Sequence, residues 1–252
     1  MRLITEFDSY ALEREAFRII RTNLQYSTAG RSPQIVMMTS CFPAEGKSTV
    51  AVNTAISLAG LGEKTLIMDA DLKLPTVHRT FELPKAPGLT DILIGKNNVA
   101  ETIRQTGIEN LDFLPAGPQS PNPVELLESR QMNELLASLR KEYRYIVMDA
   151  APLYGLSDSF VTANKADGVC LVASIGKSRL DVLRRVVSNL RMIDCRLLGV
   201  IFNNQTTGRL PMRYGAGYGY TKKSGYGKGY RDSRRGRYDR HKDRQSDQIS
   251  KM

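Results

Sequence analysis

Residues 39–53 read TSCFPAEGKSTVAVN, in which a glycine, a lysine and two hydroxyl side chains stand in a row. A GK[ST] run between a strand and a helix makes a loop whose backbone N–H groups converge on phosphate oxygens. In such a loop Ala44, Glu45 and Gly46 line the cradle. Lys47 meets the β and γ oxygens and the Ser48 hydroxyl reaches Mg²⁺, while Thr49 completes the motif inside the helix. ATP and Mg²⁺ are therefore the expected ligands. The strict pattern has another glycine five residues before Gly46, and this chain has Cys41 there.

Phosphate chemistry also needs carboxylates. LIMDADLKLP and YIVMDAAP place Asp69, Asp71 and Asp149 at the ends of apolar runs. Mg²⁺ on a nucleotide takes one or two carboxylates and fills its shell with phosphate and water. Asp71 and Asp149, with Ser48, fit that role. Asp69 is left over, either to orient an attacking hydroxyl and take its proton or to cap a helix or turn. Lys47, Asp69 and Asp71 are the candidate catalytic side chains.

These residues need elements to carry them. Apolar runs recur at 35–40, 65–69, 111–116, 145–150, 168–174 and 197–203. Near-continuous apolar character marks strands covered on both faces. Between them lie amphipathic candidates such as KSTVAVNTAISLAGLG, closed by a glycine suited to a helix C-cap, and RLDVLRRVVSNLRMI. Alternating strands and helices predict an α/β fold, a doubly wound, mostly parallel sheet. Ligands of such sheets bind at the C-terminal strand ends, where the motif residues fall.

Charge divides the chain differently. Residues 209–252 hold 13 Lys and Arg against 4 Asp and Glu, whereas the whole chain has 36 against 26. Residues 1–208 are thus a nearly neutral body, large enough for one α/β domain. Residues 209–252 are Gly-rich and almost without aliphatic side chains, so they cannot bury enough area to offset ordering and are expected to form a disordered tail. That tail nevertheless carries Tyr214, Tyr218, Tyr220, Tyr226, Tyr230 and Tyr238. Cys41, Cys170 and Cys195 are odd in number and lack CxxC spacing, which suggests neither a disulfide framework nor a zinc site; Cys170 and Cys195 read as buried thiols. No apolar run approaches the ~18 residues that span a bilayer, and the N-terminus lacks the apolar stretch of a signal peptide. A cytoplasmic location is expected. Interleaved Arg and Tyr also suit nucleic-acid or anionic-membrane contact, so an ATPase positioning motor with a binding tail is the rival reading, with nucleic acid the less expected partner.

A GKST loop followed by D-x-D after the second strand resembles the deviant Walker ATPases. Those that partition plasmids or place the division site carry a signature lysine where this chain has Phe42, so their cross-dimer sandwich is not expected. A resemblance over nearly the whole chain is to the bacterial tyrosine kinases of capsule and exopolysaccharide synthesis. It is carried by EAFRIIRTNL, TSCFPAEGKSTVAVNTA, LIMDADLKLP, PGLTDIL, LPAGPQSPNPVELL, YIVMDAAP and the tyrosine cluster. This resemblance implies a Walker A motif at Gly46, Lys47, Ser48 and Thr49, an A′ motif with Asp69 and Asp71, and a Walker B aspartate at Asp149. Lys73 stands where the A′ motif commonly has Arg, keeping the charge but losing the planar fork.

It further implies that Glu15, Arg18 and Arg21, an E-x-x-R-x-x-R motif, contact the next subunit of a homo-oligomeric ring. On spacing alone these three lie on one helix face and read as a solvated face with internal ion pairs. Asn203 is implied as an adenine contact, or else caps a turn. The six tail tyrosines are implied as autophosphorylation sites. The implied partners are protein tyrosine substrates, a phosphotyrosine phosphatase, and a separate membrane adaptor that activates the kinase and recruits it to the inner face of the membrane.

Overall fold

The computed structural model of the chain describes residues 3–6, 12–27, 33–155 and 158–203. The expected boundary at 208 and the tail lie outside these residues. In chain order the elements are a 3-10 turn at Ile4–Glu6, α1 (Leu12–Tyr26), β1 (Ile35–Ser40), α2 (Lys47–Ala59), β2 (Thr65–Asp69), α3 (Val77–Thr80), α4 (Leu89–Leu93), α5 (Val99–Thr102), β3 (Arg104–Gln105) and β4 (Leu111–Leu114). There follow α6 (Pro123–Glu128), α7 (Arg130–Glu142), β5 (Tyr145–Asp149), α8 (Asp158–Ala163), β6 (Gly168–Ser174), α9 (Leu180–Met192) and β7 (Leu197–Asn203).

The strands form one sheet in the order β3-β4-β2-β5-β1-β6-β7. Every neighbouring pair is parallel except β3 with β4. Four of the six expected runs coincide with strands residue for residue. The run from 111 stops at Leu114, because Pro115 has no N–H for a ladder. β3 has two residues and no apolar run, so nothing in its sequence announced it.

Side chains alternate across the sheet and feed two cores. Ile35, Met37, Leu66, Met68, Ile146 and Met148 point to one face, packed under α6, α7 and α9. Val36, Met38, Ile67, Val147 and Val172 point to the other, under α1 and α2. α2 departs from the amphipathic expectation. Its small and β-branched residues are buried nearly all round, since α1 covers the face turned from the sheet. Asn53 and Ser57 are the polar positions that make this possible: Asn53 Oδ1 accepts the Ile4 N–H at 2.7 Å and Ser57 Oγ donates to Phe17 O at 3.3 Å. α2 ends at Ala59 with Gly60 still right-handed, and the left-handed turn falls to Gly62.

At the opposite end of the sheet from the motif loops, Asp167 ties two elements together. Its carboxylate accepts the N–H groups of Gln34 and Ile35 at 2.9 and 2.8 Å and a two-pronged contact from Arg140 at 2.9 and 2.6 Å. Cys41 and Cys170 are buried, and burial pushes their thiols up to about 11 and about 12. Cys195, expected to be buried, is half-buried. No helix among the described residues is long and apolar enough to cross a membrane.

Candidate phosphate and metal site

β1 lies between β5 and β6, where the sheet order reverses, and the loop from β1 into α2 therefore opens at the crevice where such sheets bind ligands. Residues 41–46 form this loop, with Ala44 and Gly46 in left-handed backbone at φ 61° and 92°. A Cβ on Gly46 would stand 2.0 Å from Asn203 Nδ2. The dihedral therefore favours glycine, and any Cβ there would push the Asn203 amide aside.

The loop is braced by Glu45, whose side chain turns inward and is 2% exposed. Its Oε2 accepts the Phe42 N–H at 2.8 Å, and its Oε1 accepts the Ser178 hydroxyl. Its backbone carbonyl accepts Asn203 Nδ2 at 3.1 Å. The sequence marked Glu45 as a residue of the cradle, but nothing near it predicted Ser178, 133 positions away.

Lys47 opens α2 and is 8% exposed. Its Nζ lies 2.9 Å from Asp71 Oδ2, 3.4 Å from Asp149 Oδ1 and 3.3 Å from Ser48 Oγ. Burial works against its charge, but Asp149 and Asp71 outweigh that and hold the ammonium above the ordinary lysine range. Asp149, the last residue of β5, is fully buried. Burial pushes its carboxyl up against the pull of Lys47, and its Oδ2 has no hydrogen-bond partner. A buried, unpaired carboxylate oxygen beside a phosphate loop is what a divalent cation would satisfy. Among the described residues no three His, Cys, Asp or Glu side chains converge to cage a metal. An ion here would complete its shell with the Ser48 hydroxyl, phosphate and water.

Asp69 is also fully buried. Its Oδ2 accepts the N–H groups of Thr76 and Val77, each at 3.1 Å, and its Oδ1 accepts that of Asp71 at 3.3 Å. Of the two roles open to it, the structure displays the capping one: Asp69 folds the 71–77 turn back on itself and caps α3. Burial, then the neighbouring Asp149, push its carboxyl up to about 8. That turn delivers Thr76, whose hydroxyl donates to Ser48 Oγ at 3.1 Å and which the motif reading had missed. Asp71 Oδ1 accepts the Leu74 N–H at 3.0 Å, leaving Oδ2 for Lys47.

Lys47, Ser48, Asp69, Asp71 and Asp149 are thus brought into one cluster at the strand ends, with Asn203 beside Gly46. Glu15, Arg18 and Arg21 are on α1. Glu15 and Arg18 are exposed and paired to each other at 3.3 Å. Arg21 departs from the shared-face expectation, because its Nη1 donates to Ser57 O of α2 at 3.0 Å. The six tail tyrosines lie outside the described residues.

Residues 43–197 match the family model of the AAA domain. The tyrosine-protein kinase YwqD of Bacillus subtilis is 38% identical over 195 residues, which cover 77% of this chain and 82% of that protein. Among solved structures, the chimerical protein CapA2B2 superposes with a TM-score of 0.77 and 32% identity, over 80% of this chain and 89% of that one. The septum site-determining protein MinD of Pyrococcus horikoshii, solved with Mg-ADP, gives a TM-score of 0.59 and 26% identity over 70% and 72% of the two chains.

Proposed function

The chain belongs to the bacterial tyrosine kinases and carries an AAA domain of the P-loop fold, and we propose that it moves the γ-phosphoryl group of Mg·ATP onto tyrosines of its own residues 214–238 in the control of capsule or exopolysaccharide synthesis. The observation that carries this reading is the buried cluster in which one lysine faces more carboxylate than it can neutralise, with Asp149 Oδ2 unpaired. The positioning-motor alternative is not favoured: Phe42 stands at its signature lysine, and the match to the kinase structure is the better of the two.

Ser48, Asp71 and Asp149 would hold Mg²⁺, which when bound supplies positive charge to the β and γ oxygens. Lys47 is the cation of the cluster. Its ammonium exchanges Asp71 and Asp149 for phosphate oxygens and so follows the negative charge that develops there. In the transfer the acceptor's phenolic oxygen bonds to the γ-phosphorus, the bond from that phosphorus to the ADP oxygen breaks, and the phenolic proton leaves to a carboxylate. Asp69 Oδ1 suits that proton, since its one hydrogen bond, from the Asp71 N–H, is long at 3.3 Å. Asn203, anchored beside Gly46, would meet the adenine side of the nucleotide.

Glu15 and Arg18 share α1 with exposed Leu12 and Ile19, a surface that a neighbouring subunit of a ring would cover. A membrane adaptor would hold the kinase at the inner face and activate it, and a phosphatase would reset the tail. The test is incubation with ATP and Mg²⁺, with and without cytosolic segments of candidate adaptors, read by phosphotyrosine mass spectrometry. Phosphate on residues 214–238 is expected; a chain that forms no phosphotyrosine under any of these conditions refutes the reading.

A further inference from the structure

The cluster above accounts for phosphate and metal but leaves open what receives the acceptor's ring. The Phe42 and Tyr154 rings pack at 5.0 Å between centroids with 55° between planes, and neither is fully buried. Phe42 is in the phosphate loop, and Tyr154, 45% exposed, is in the segment that follows Asp149. The pair thus joins the two segments that carry Lys47 and Asp149.

Its backbone is pinned. Tyr154 N donates to Cys41 O at 3.1 Å, Leu153 N to Ser40 O at 2.8 Å, and Ser40 Oγ to Phe42 O at 2.7 Å. Phe42 N is held by the buried Glu45 carboxylate, itself fixed by Ser178. Tyr154 also forms one wall of a cavity of about 460 Å³ that runs on to Phe160 and Asn189.

We propose that the Phe42–Tyr154 pair is the acceptor subsite, on which the ring of the incoming tyrosine packs so that its hydroxyl points to the γ-phosphate. This rests on the kinase reading. The occupant is the chain's own tail segment, and its sequence says what such a site can grip. Tyr214, Tyr218, Tyr220, Tyr226 and Tyr230 each have a glycine neighbour. Glycine offers no side chain to recognise, so the ring itself is the handle, and a bare backbone lets it approach a narrow aromatic wall. Tyr238 lies between Arg237 and Asp239 and is the poorest fit. An aromatic wall also favours a phenol over serine and threonine, which have no ring to pack on it. Glu45 and Ser178 act here as positioning residues, through Phe42.

The test uses the full chain with its six tail tyrosines changed to Ala as enzyme, and a peptide of residues 212–232 as acceptor. Phe42→Ala and Tyr154→Ala should each raise KM for the peptide about 3- to 10-fold, the size of one aromatic contact, and Tyr154→Ala, outside the phosphate loop, should do so with Mg·ATP affinity retained. Tyr154→Phe should restore the wild-type KM and Tyr154→Leu should not. In the wild-type chain, mass spectrometry should find Tyr238 phosphorylated last. An unchanged KM in Tyr154→Ala, or Mg·ATP affinity falling in parallel with it, overturns the subsite while leaving the kinase reading standing. Absence of phosphotyrosine from wild type on any acceptor would instead fail the kinase reading itself.

Discussion

Replacing Gly46 with alanine probes the phosphate loop through two separable costs. A residue with a Cβ in left-handed backbone loses roughly 1–2 kcal/mol, and Gly46 sits at φ 92°. The new Cβ also meets Asn203 Nδ2 at 2.0 Å. The amide must swing away and give up its bond to Glu45 O, worth about 1 kcal/mol. Gly46→Ala should therefore cost about 2–3 kcal/mol, and Asn203→Ala about 1 kcal/mol by itself. In the double variant the amide is already gone, so only the backbone cost is added. The double variant should be no less stable than Gly46→Ala alone, a departure from additivity of about 1 kcal/mol. Urea unfolding followed by far-ultraviolet circular dichroism suits a chain with no Trp. Strictly additive losses would refute the coupling of Asn203 to this glycine, and a Gly46→Ala variant as stable as wild type would refute the strain.

Lys47→Met should abolish phosphotyrosine formation. It also leaves Asp71 and Asp149 without their buried cation, so its Tm should fall at neutral pH and recover partly with added Mg²⁺; a variant indifferent to Mg²⁺ would count against the carboxylates as metal ligands. Asp149→Asn should bind Mg·ATP at least tenfold more weakly by titration calorimetry while the unliganded protein is as stable as wild type or more so, because one carboxylate leaves an over-filled cluster. Asp167 is partly buried, yet Arg140 and the N–H groups of Ile35 and Gln34 outweigh that and hold its carboxyl below the usual range. Its contribution is present above the ordinary carboxylate range and is lost as pH falls through the depressed value, so acid titrations of Tm should be flatter in Asp167→Asn. Changing Glu15, Arg18 and Arg21 together to Ala should shift any ring toward monomers in light scattering, and restoring Arg21 alone should recover about 1 kcal/mol of stability without restoring the ring. A triple variant with unchanged mass would make the motif an intrachain feature.

The sequence by itself determined the strands, the order of the motifs and the family. A parallel strand covered on both faces must be apolar throughout, so each long run was visible, whereas the two-residue β3 had no run to show. Gly46, Lys47, Ser48 and the three aspartates were legible because phosphate and metal chemistry fixes residue types at short spacing. Which groups each aspartate meets was decided by tertiary structure. Asp149 is 102 residues from Lys47, and their approach depends on β5 lying next to β1. Asp69 could have faced the acceptor or capped a turn, and the fold of residues 71–77 gives its Oδ2 to the Thr76 and Val77 N–H groups and leaves Oδ1 with one long bond. Glu45 looked like one more cradle residue, and its partner Ser178 enters from the loop after β6. Arg21 shares a helix period with Arg18, yet α1 lies on α2 with Arg21 turned to the Ser57 carbonyl. Local pattern selects the element and the residue type; the sheet order and the helix that covers each face select the partner.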